Sequence, residues 1–245
     1  MRTLFACLSS AAVLLLGTPG RADPYSEPEP RRLKSGFESQ DRPIGMVEFG
    51  VGALTLPGAE VCVERDQGQC PEGDASFVVE AWPLYRPSPR FAFGAGLMLG
   101  LIPTTVPQAE STGEVVRDHS RSYLTVEGIG RYYFYVGEST EVWGGLTGGL
   151  VVVSDRFVVE DPILNDRALV GPQGVTIRTE GGSVGLAVGA GFSLAESWSL
   201  GVMLRYGQWF LPKEPATDPL GSEASLTGRN TYVTLGISIA YRTIL

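Results

Sequence analysis

The sequence predicts an all-β fold: an eight-stranded antiparallel up-and-down barrel that spans a membrane. Three observations lead there. Eight segments between residues 44 and 245 alternate with period two rather than 3.6. The connections between them alternate between tight and long. In each segment one face is large and apolar, while the other mixes Gly, Ser and Thr with a few charges.

Composition agrees. The chain has 245 residues, 32 of them Gly, with 43 % apolar and 19 % charged residues. That charge fraction is below the usual quarter, and no Gly-X-Y period appears. A net charge of −8 argues against a nucleic-acid partner, which would require a basic face. A single His leaves little room for His-based catalysis or a His-rich centre, so no cofactor and no metal is expected.

Residues 1–22 read as a secretory signal peptide. Met1-Arg2 is a short positive start, Leu4 to Leu16 is an uncharged apolar run, and Gly20-Arg21-Ala22 sets small residues where a signal peptidase reads. The run is too short for a transmembrane helix. Residues 23–43 are polar, rich in Pro and charge, and read as a flexible periplasmic tail ahead of the barrel at 44–245. Past the signal, Cys62 and Cys70 remain, eight apart in a polar stretch. An exported chain meets an oxidising compartment, so a disulfide is the expected state. A zinc site would need further ligands that the neighbourhood lacks.

The segments follow in order. In the first, Val47, Phe49, Val51 and Ala53 oppose Glu48, Gly50 and Gly52. In the second, Phe77, Val79 and Ala81 oppose Glu80 and Trp82. The third sets Phe91, Phe93, Ala95, Leu97 and Leu99 against Ala92, Gly94, Gly96 and Gly100. The fourth sets Leu124, Val126, Tyr132 and Phe134 against Glu127 and Arg131. The fifth, 142–153, is less regular, with Leu146, Leu150 and Val152 against Gly145, Thr147 and Gly149. The sixth runs through Val184, Leu186, Val188, Ala190 and Phe192, with Gly, Ser and Ala between them. The seventh opposes Trp198, Leu200, Val202, Leu204 and Tyr206 to Ser199, Gly201, Met203, Arg205 and Gly207. In the eighth, Val233, Leu235, Ile237, Ile239 and Tyr241 oppose Tyr232, Thr234, Gly236, Ser238 and Ala240.

The connections at 87–89, 137–140 and 195–197 are tight; those near 57–75, 103–119, 155–177 and 211–227 are long. Short periplasmic turns and long extracellular loops are the pattern of an outer-membrane barrel. A soluble barrel hides its apolar face, and the small, Gly-rich face here would cover a water-exposed surface poorly. Backbone polar groups in hydrocarbon are satisfied only in helices and closed barrels. Aromatics near the tight turns form one girdle: Tyr85, Phe91, Tyr132, Phe134, Trp143, Phe192, Trp198 and Tyr241. A thinner set, Phe77, Tyr123, Tyr206, Trp209 and Phe210, marks the other rim. The expected location is the bacterial outer membrane, with both termini periplasmic and the long loops outside.

On strand count, loop alternation and the last strand, the chain resembles the small eight-stranded outer-membrane barrels, the OmpA-like and OmpW-like group, over about 44–245. The resemblance implies that Thr234, Gly236, Ile239 and Tyr241 form the insertion signal read by the barrel-assembly machinery. Here the chain continues past the aromatic with Arg242-Thr243-Ile244-Leu245, where many such barrels stop at a terminal Phe.

Strand parity points Glu48, Glu80, Glu127, Arg131 and Arg205 inward. Buried charges must pair, so these residues form either an ion-paired plug that fixes register or the polar gate of a narrow pore. Glu127 and Arg131 are two steps apart on one face, and so meet only diagonally or through a neighbouring strand. Arg178 and Arg229 open the sixth and eighth strands on lipid-facing parity at the outer rim. They either snorkel or hold phosphates of lipopolysaccharide. The acidic long loops serve solubility or divalent bridging to the same phosphates. His119 lies in the second long loop beside Ser120, where Ser154 and Asp155 could approach it. A Ser nucleophile with a His base is the set by which some small barrels act on lipid A, and this group is its one counterpart here. No enzyme motif surrounds it; no catalytic residue is assigned, and the chain is expected not to be an enzyme. Two roles remain. One is a structural or interaction barrel that docks envelope proteins in a trans-envelope assembly. The other is a transport barrel for small or apolar solutes.

Overall fold

A computed structural model describes residues 42–60, 74–107, 117–159, 174–218 and 223–245. Its strands are β1 (Ile44–Thr55), β2 (Ala75–Ser88), β3 (Phe91–Pro107), β4 (Arg117–Val136), β5 (Thr140–Val159), β6 (Gly174–Ser193), β7 (Trp198–Phe210) and β8 (Arg229–Ile244). Each pairs antiparallel with the next, and β8 closes on β1 with Phe49 opposite Ile239 and Ala53 opposite Leu235. The eight alternating segments are therefore one closed barrel, each strand paired on both sides through the band that all eight share, while β6 above Gly182 pairs with β5 alone. The expected signal peptide, nearly all of the tail, and Cys62 and Cys70 lie outside the described residues.

The three short turns fall where the sequence puts them. Gly137 N–H donates to Thr140 O at 2.9 Å, and Leu194 N–H to Trp198 O at 2.9 Å. The β2–β3 register shifts between Tyr85 and Ser88, where Pro87 supplies no donor. At the other end the strands run further than the sequence reading allows. His119 and Asp155 stand inside β4 and β5 and Arg178 inside β6, not in loops or at a strand's first residue. The period of two does continue there, but with polar residues on both faces. Reading strands from an apolar face ends them at the edge of the lipid, whereas the backbone ladder continues beyond it.

The two faces of the wall are inverted relative to a soluble protein. Leu146 and Leu150 are each 66 % exposed, whereas Arg205 is 0 % exposed. On β6 every outward position from Val184 to Phe192 is uncharged and apolar. At about 3.3 Å per residue and a tilt of about 40°, that run rises about 20 Å, most of the apolar band of about 25 Å of a membrane barrel.

Inside, small residues make room for large ones. A side chain at Gly96 would overlap the Trp82 ring, and a Cβ at Gly189 would lie 2.5 Å from the Trp143 ring. Three girdle assignments need correction: Trp143, Tyr123 and Trp209 point into the barrel and are buried. Each sits on inward parity, Trp143 with Glu141 and Trp209 with Arg205. Proximity to a turn or rim does not override that alternation. The outward girdle at the short-turn end is real at other positions, with edge contacts between Phe91 and Tyr132 at 5.1 Å and between Tyr85 and Phe93 at 5.4 Å.

Candidate functional site: the charged lumen

The lumen is filled by stacked ion pairs. At mid-height Arg205 of β7 has Ala187 and Thr234 as its cross-strand neighbours, small residues that leave its side chain space. Its Nη1 donates to Glu127 Oε2 at 2.8 Å, its Nη2 to Glu80 Oε2 at 3.2 Å and its Nε to Thr234 Oγ1 at 3.2 Å. Ser183 Oγ–H donates to the other oxygen of Glu127 at 2.5 Å. One guanidinium thus bridges two carboxylates contributed by β2 and β4.

Toward the short turns comes a second layer. Arg131 Nη1 donates to Glu48 Oε2 at 2.7 Å, and Ser238 Oγ–H donates to Glu48 Oε1 at 2.7 Å. The Arg131 guanidinium lies 3.9 Å from the centre of the Trp143 ring, within cation–π range. Below it Arg86 Nη1 donates to Glu141 Oε2 at 2.7 Å and Nη2 to Pro89 O at 2.6 Å, over the Tyr133 ring at 3.7 Å. Arg242 of β8 is buried as well. A cavity of about 20 Å³ between Glu48, Arg131, Glu141, Ser199 and Ser238 holds no more than a single water.

At the long-loop end Asp155 gathers donors from two elements. Arg121 Nε donates to Oδ1 at 3.2 Å, and His119 Nε2 lies 2.8 Å from the same oxygen. Ser225 Oγ–H donates to Oδ1 at 2.5 Å and Ser225 N–H to Oδ2 at 3.0 Å. Arg121 also reaches Asp74 at 2.8 Å, which accepts from the Tyr123 hydroxyl at 2.5 Å. The β7–β8 connection is thereby tied into the mouth, with Leu211, Ala224 and Leu226 buried. Beneath it Tyr123, Trp209 and Tyr232 pack ring to ring at 5.1 and 5.3 Å.

All five inward charges expected from parity, Glu48, Glu80, Glu127, Arg131 and Arg205, are buried in the lumen. They form two layers rather than one network: Glu127 and Arg131, though on one strand, serve different partners. Arg86, Glu141, Arg121, Asp155, His119 and Arg242 are buried on inward parity as well, beyond the five that the sequence reading names. Parity carried two steps past Trp82 and Leu84 reaches Arg86, and carried back from Thr147 it reaches Glu141.

Ser120 and Ser154, the hydroxyls next to His119 and Asp155 in sequence, lie on the face of the wall opposite to them. Ser225, which does enter the cluster, hydrogen-bonds Asp155 and Arg121. The His119 ring instead stacks on Phe157 at 4.7 Å. Arg178 and Arg229 are both exposed but are not brought together. Arg178 stands opposite Ser154 on β5, and Arg229 lies over the Phe210 ring of β7 at 5.4 Å. Of the four positions expected to form an insertion signal, Thr234 and Gly236 face the lumen while Ile239 and Tyr241 face outward.

Compared with protein-family models and with curated proteins, the sequence matches none. Solved structures do resemble it. Neisserial surface protein A superposes with a TM-score of 0.50 at 11 % identity, over 81 % of this chain and 96 % of that one. A major outer membrane protein from Thermus thermophilus gives 0.49 at 13 % identity, over 80 % and 99 %. Ail, the attachment invasion locus protein of Yersinia pestis, gives 0.44 at 10 % identity, over 83 % and 100 %. Identity this low speaks to fold alone: the chain shares the barrel architecture of Neisserial surface protein A.

Proposed function

We propose that the chain is an integral outer-membrane barrel with a structural or interaction role in the bacterial envelope. In this reading its long loops lie outside and its termini in the periplasm. The observation that carries it is the pairing of an uncharged apolar outer band with a lumen closed by successive ion pairs. Apolar side chains meet lipid, and no continuous water path is needed inside. Strand β8, with Ile239 and Tyr241 turned outward, fits the role of the strand read by the barrel-assembly machinery. Loops and rim would then dock envelope proteins, and neither a substrate nor a cofactor enters the reading.

The test is the behaviour of protein extracted from the outer-membrane fraction and added to planar bilayers. Insertion without any stable conductance step is the expected result. A steady ohmic step would mean an open lumen and would favour the transport role instead.

A further inference from the structure

Immediately above the apolar band, the outer wall of β5 and β6 becomes polar. Ser154 and Arg156 of β5 and Thr176 and Arg178 of β6 all point outward there. Ser154 stands opposite Arg178, and Arg156 opposite Thr176. The two arginines are therefore diagonal neighbours on adjacent strands, with their backbones roughly 7–8 Å apart by sheet geometry. Both are exposed, and among the described residues neither has an ion-pair partner. Glu180, two residues along the same face, is exposed and makes no ion pair with Arg178. By contrast Arg121, Arg131 and Arg205 on the neighbouring strands each end on a carboxylate.

Two unneutralised like charges held as neighbours repel each other, and more strongly beside a low-dielectric band than in bulk water. An anion taken between them converts that repulsion into two charge-assisted contacts. Guanidinium forks match phosphate oxygens in geometry.

A second feature starts two outward positions below Arg178, past the row formed by Glu180 and Val152. Gly182 of β6, Gly148 of β5, and Gly128 and Gly130 of β4 all fall on outward parity. Gly182 faces Leu150, Gly148 is the next outward position below Leu150, and Gly148 faces Gly128. They mark a diagonal lane descending the wall from the arginine pair toward the short turns. A Cβ at Gly182 would meet nothing nearer than 4.0 Å, and one at Gly130 nothing within 4 Å. The lane is bare and is flanked by the prominent side chains of Leu146 and Leu150.

We propose that this face binds one phosphorylated membrane lipid, its phosphate between Arg156 and Arg178 and an acyl chain along the glycine lane. The inference rests on the membrane reading above. It differs from a generic arginine rim in pairing Arg178 with Arg156 rather than with Arg229, and in tying headgroup and chain to one continuous site.

The experiment is native mass spectrometry of the purified full-length mature barrel in detergent, with lipid A as the probe and inorganic phosphate as competitor. Wild type is expected to retain one lipid A. Arg156→Gln with Arg178→Gln should lower its occupancy at least tenfold, and Gly182→Leu, which fills the lane without a clash, severalfold. Millimolar inorganic phosphate should not displace the lipid. Equal occupancy in wild type and the double variant overturns the site, as does absence of a retained lipid in wild type. Displacement by inorganic phosphate together with indifference to Gly182→Leu would make the ligand a free anion and overturn the lipid assignment. Heat-modifiable gel mobility of every sample reports barrel integrity separately, so failure of the site is distinguishable from failure of the membrane reading.

Discussion

Arg205→Ala is expected to destabilise the barrel by about 3–5 kcal/mol, because it strands buried carboxylates with no countercharge. Arg205 is the guanidinium that holds both Glu127, at 2.8 Å, and Glu80, at 3.2 Å. Thr234 and Ser183 can each contribute one hydrogen bond but no charge. The sign of the effect depends on removing one partner alone. Replacing the whole cluster together, as Arg205→Met with Glu80→Gln and Glu127→Gln, should recover most of the loss, since a buried ion pair and an uncharged set of similar volume are close in free energy. The measurement is the urea midpoint at which heat-modifiable mobility disappears. An unchanged midpoint in Arg205→Ala would mean that the mid-height pairs do not hold the lumen together.

Asp155→Ala is expected to act locally and strongly at the mouth. It removes the acceptor shared by His119, Arg121 and Ser225, and leaves Arg121 with only the Asp74 pair. Loss of a buried partner of this kind costs about 3–5 kcal/mol where water stays out. Here the released loop admits water, so the cost should appear as opening rather than global unfolding. Leu226, fully buried under the mouth, is the reporter. In a chain with Cys62 and Cys70 changed to Ser, a cysteine placed by Leu226→Cys should react with a membrane-impermeant maleimide at least tenfold faster once Asp155 is replaced by Ala. The thermal behaviour of the strands below should change little. Equal labelling rates would show that the β7–β8 connection is held by its apolar contacts alone.

Much of the fold is legible because a strand's alternation is strictly local. Gly-rich inward positions in β3 and β6, small ones from Thr234 to Ala240 in β8, and apolar outward ones in all three state which face meets lipid without knowledge of any partner. The inward direction of Arg205 and Glu127 follows from the same parity. Their contact does not, because it joins β4 to β7 across the barrel, and which residues share a layer depends on tilt and stagger around the closed ring. Separation of Glu127 from Arg131 into two layers has the same origin. Strand ends are hidden for a different reason. Ser122, Ser154 and Arg178 on outward parity look like loop residues to an argument built on lipid contact, yet β4, β5 and β6 are still paired there. The chemistry of Trp143 and Trp209 suggests the rim, whereas their faces are set by the inward parity they share with Glu141 and Arg205 respectively.

The chain's four tryptophans give the most direct test of the inverted architecture. Trp82, Trp143 and Trp209 are 1 %, 4 % and 0 % exposed inside the barrel, whereas Trp198 is 44 % exposed on its outer face beside Tyr241. In bilayers of brominated phospholipid, single-tryptophan variants retaining Trp198 should be strongly quenched, and those retaining Trp82, Trp143 or Trp209 should be nearly unaffected. Strong quenching of any of those three, with Trp198 shielded, would put the charged face toward lipid and contradict the assignment of inside and outside on which the whole account depends.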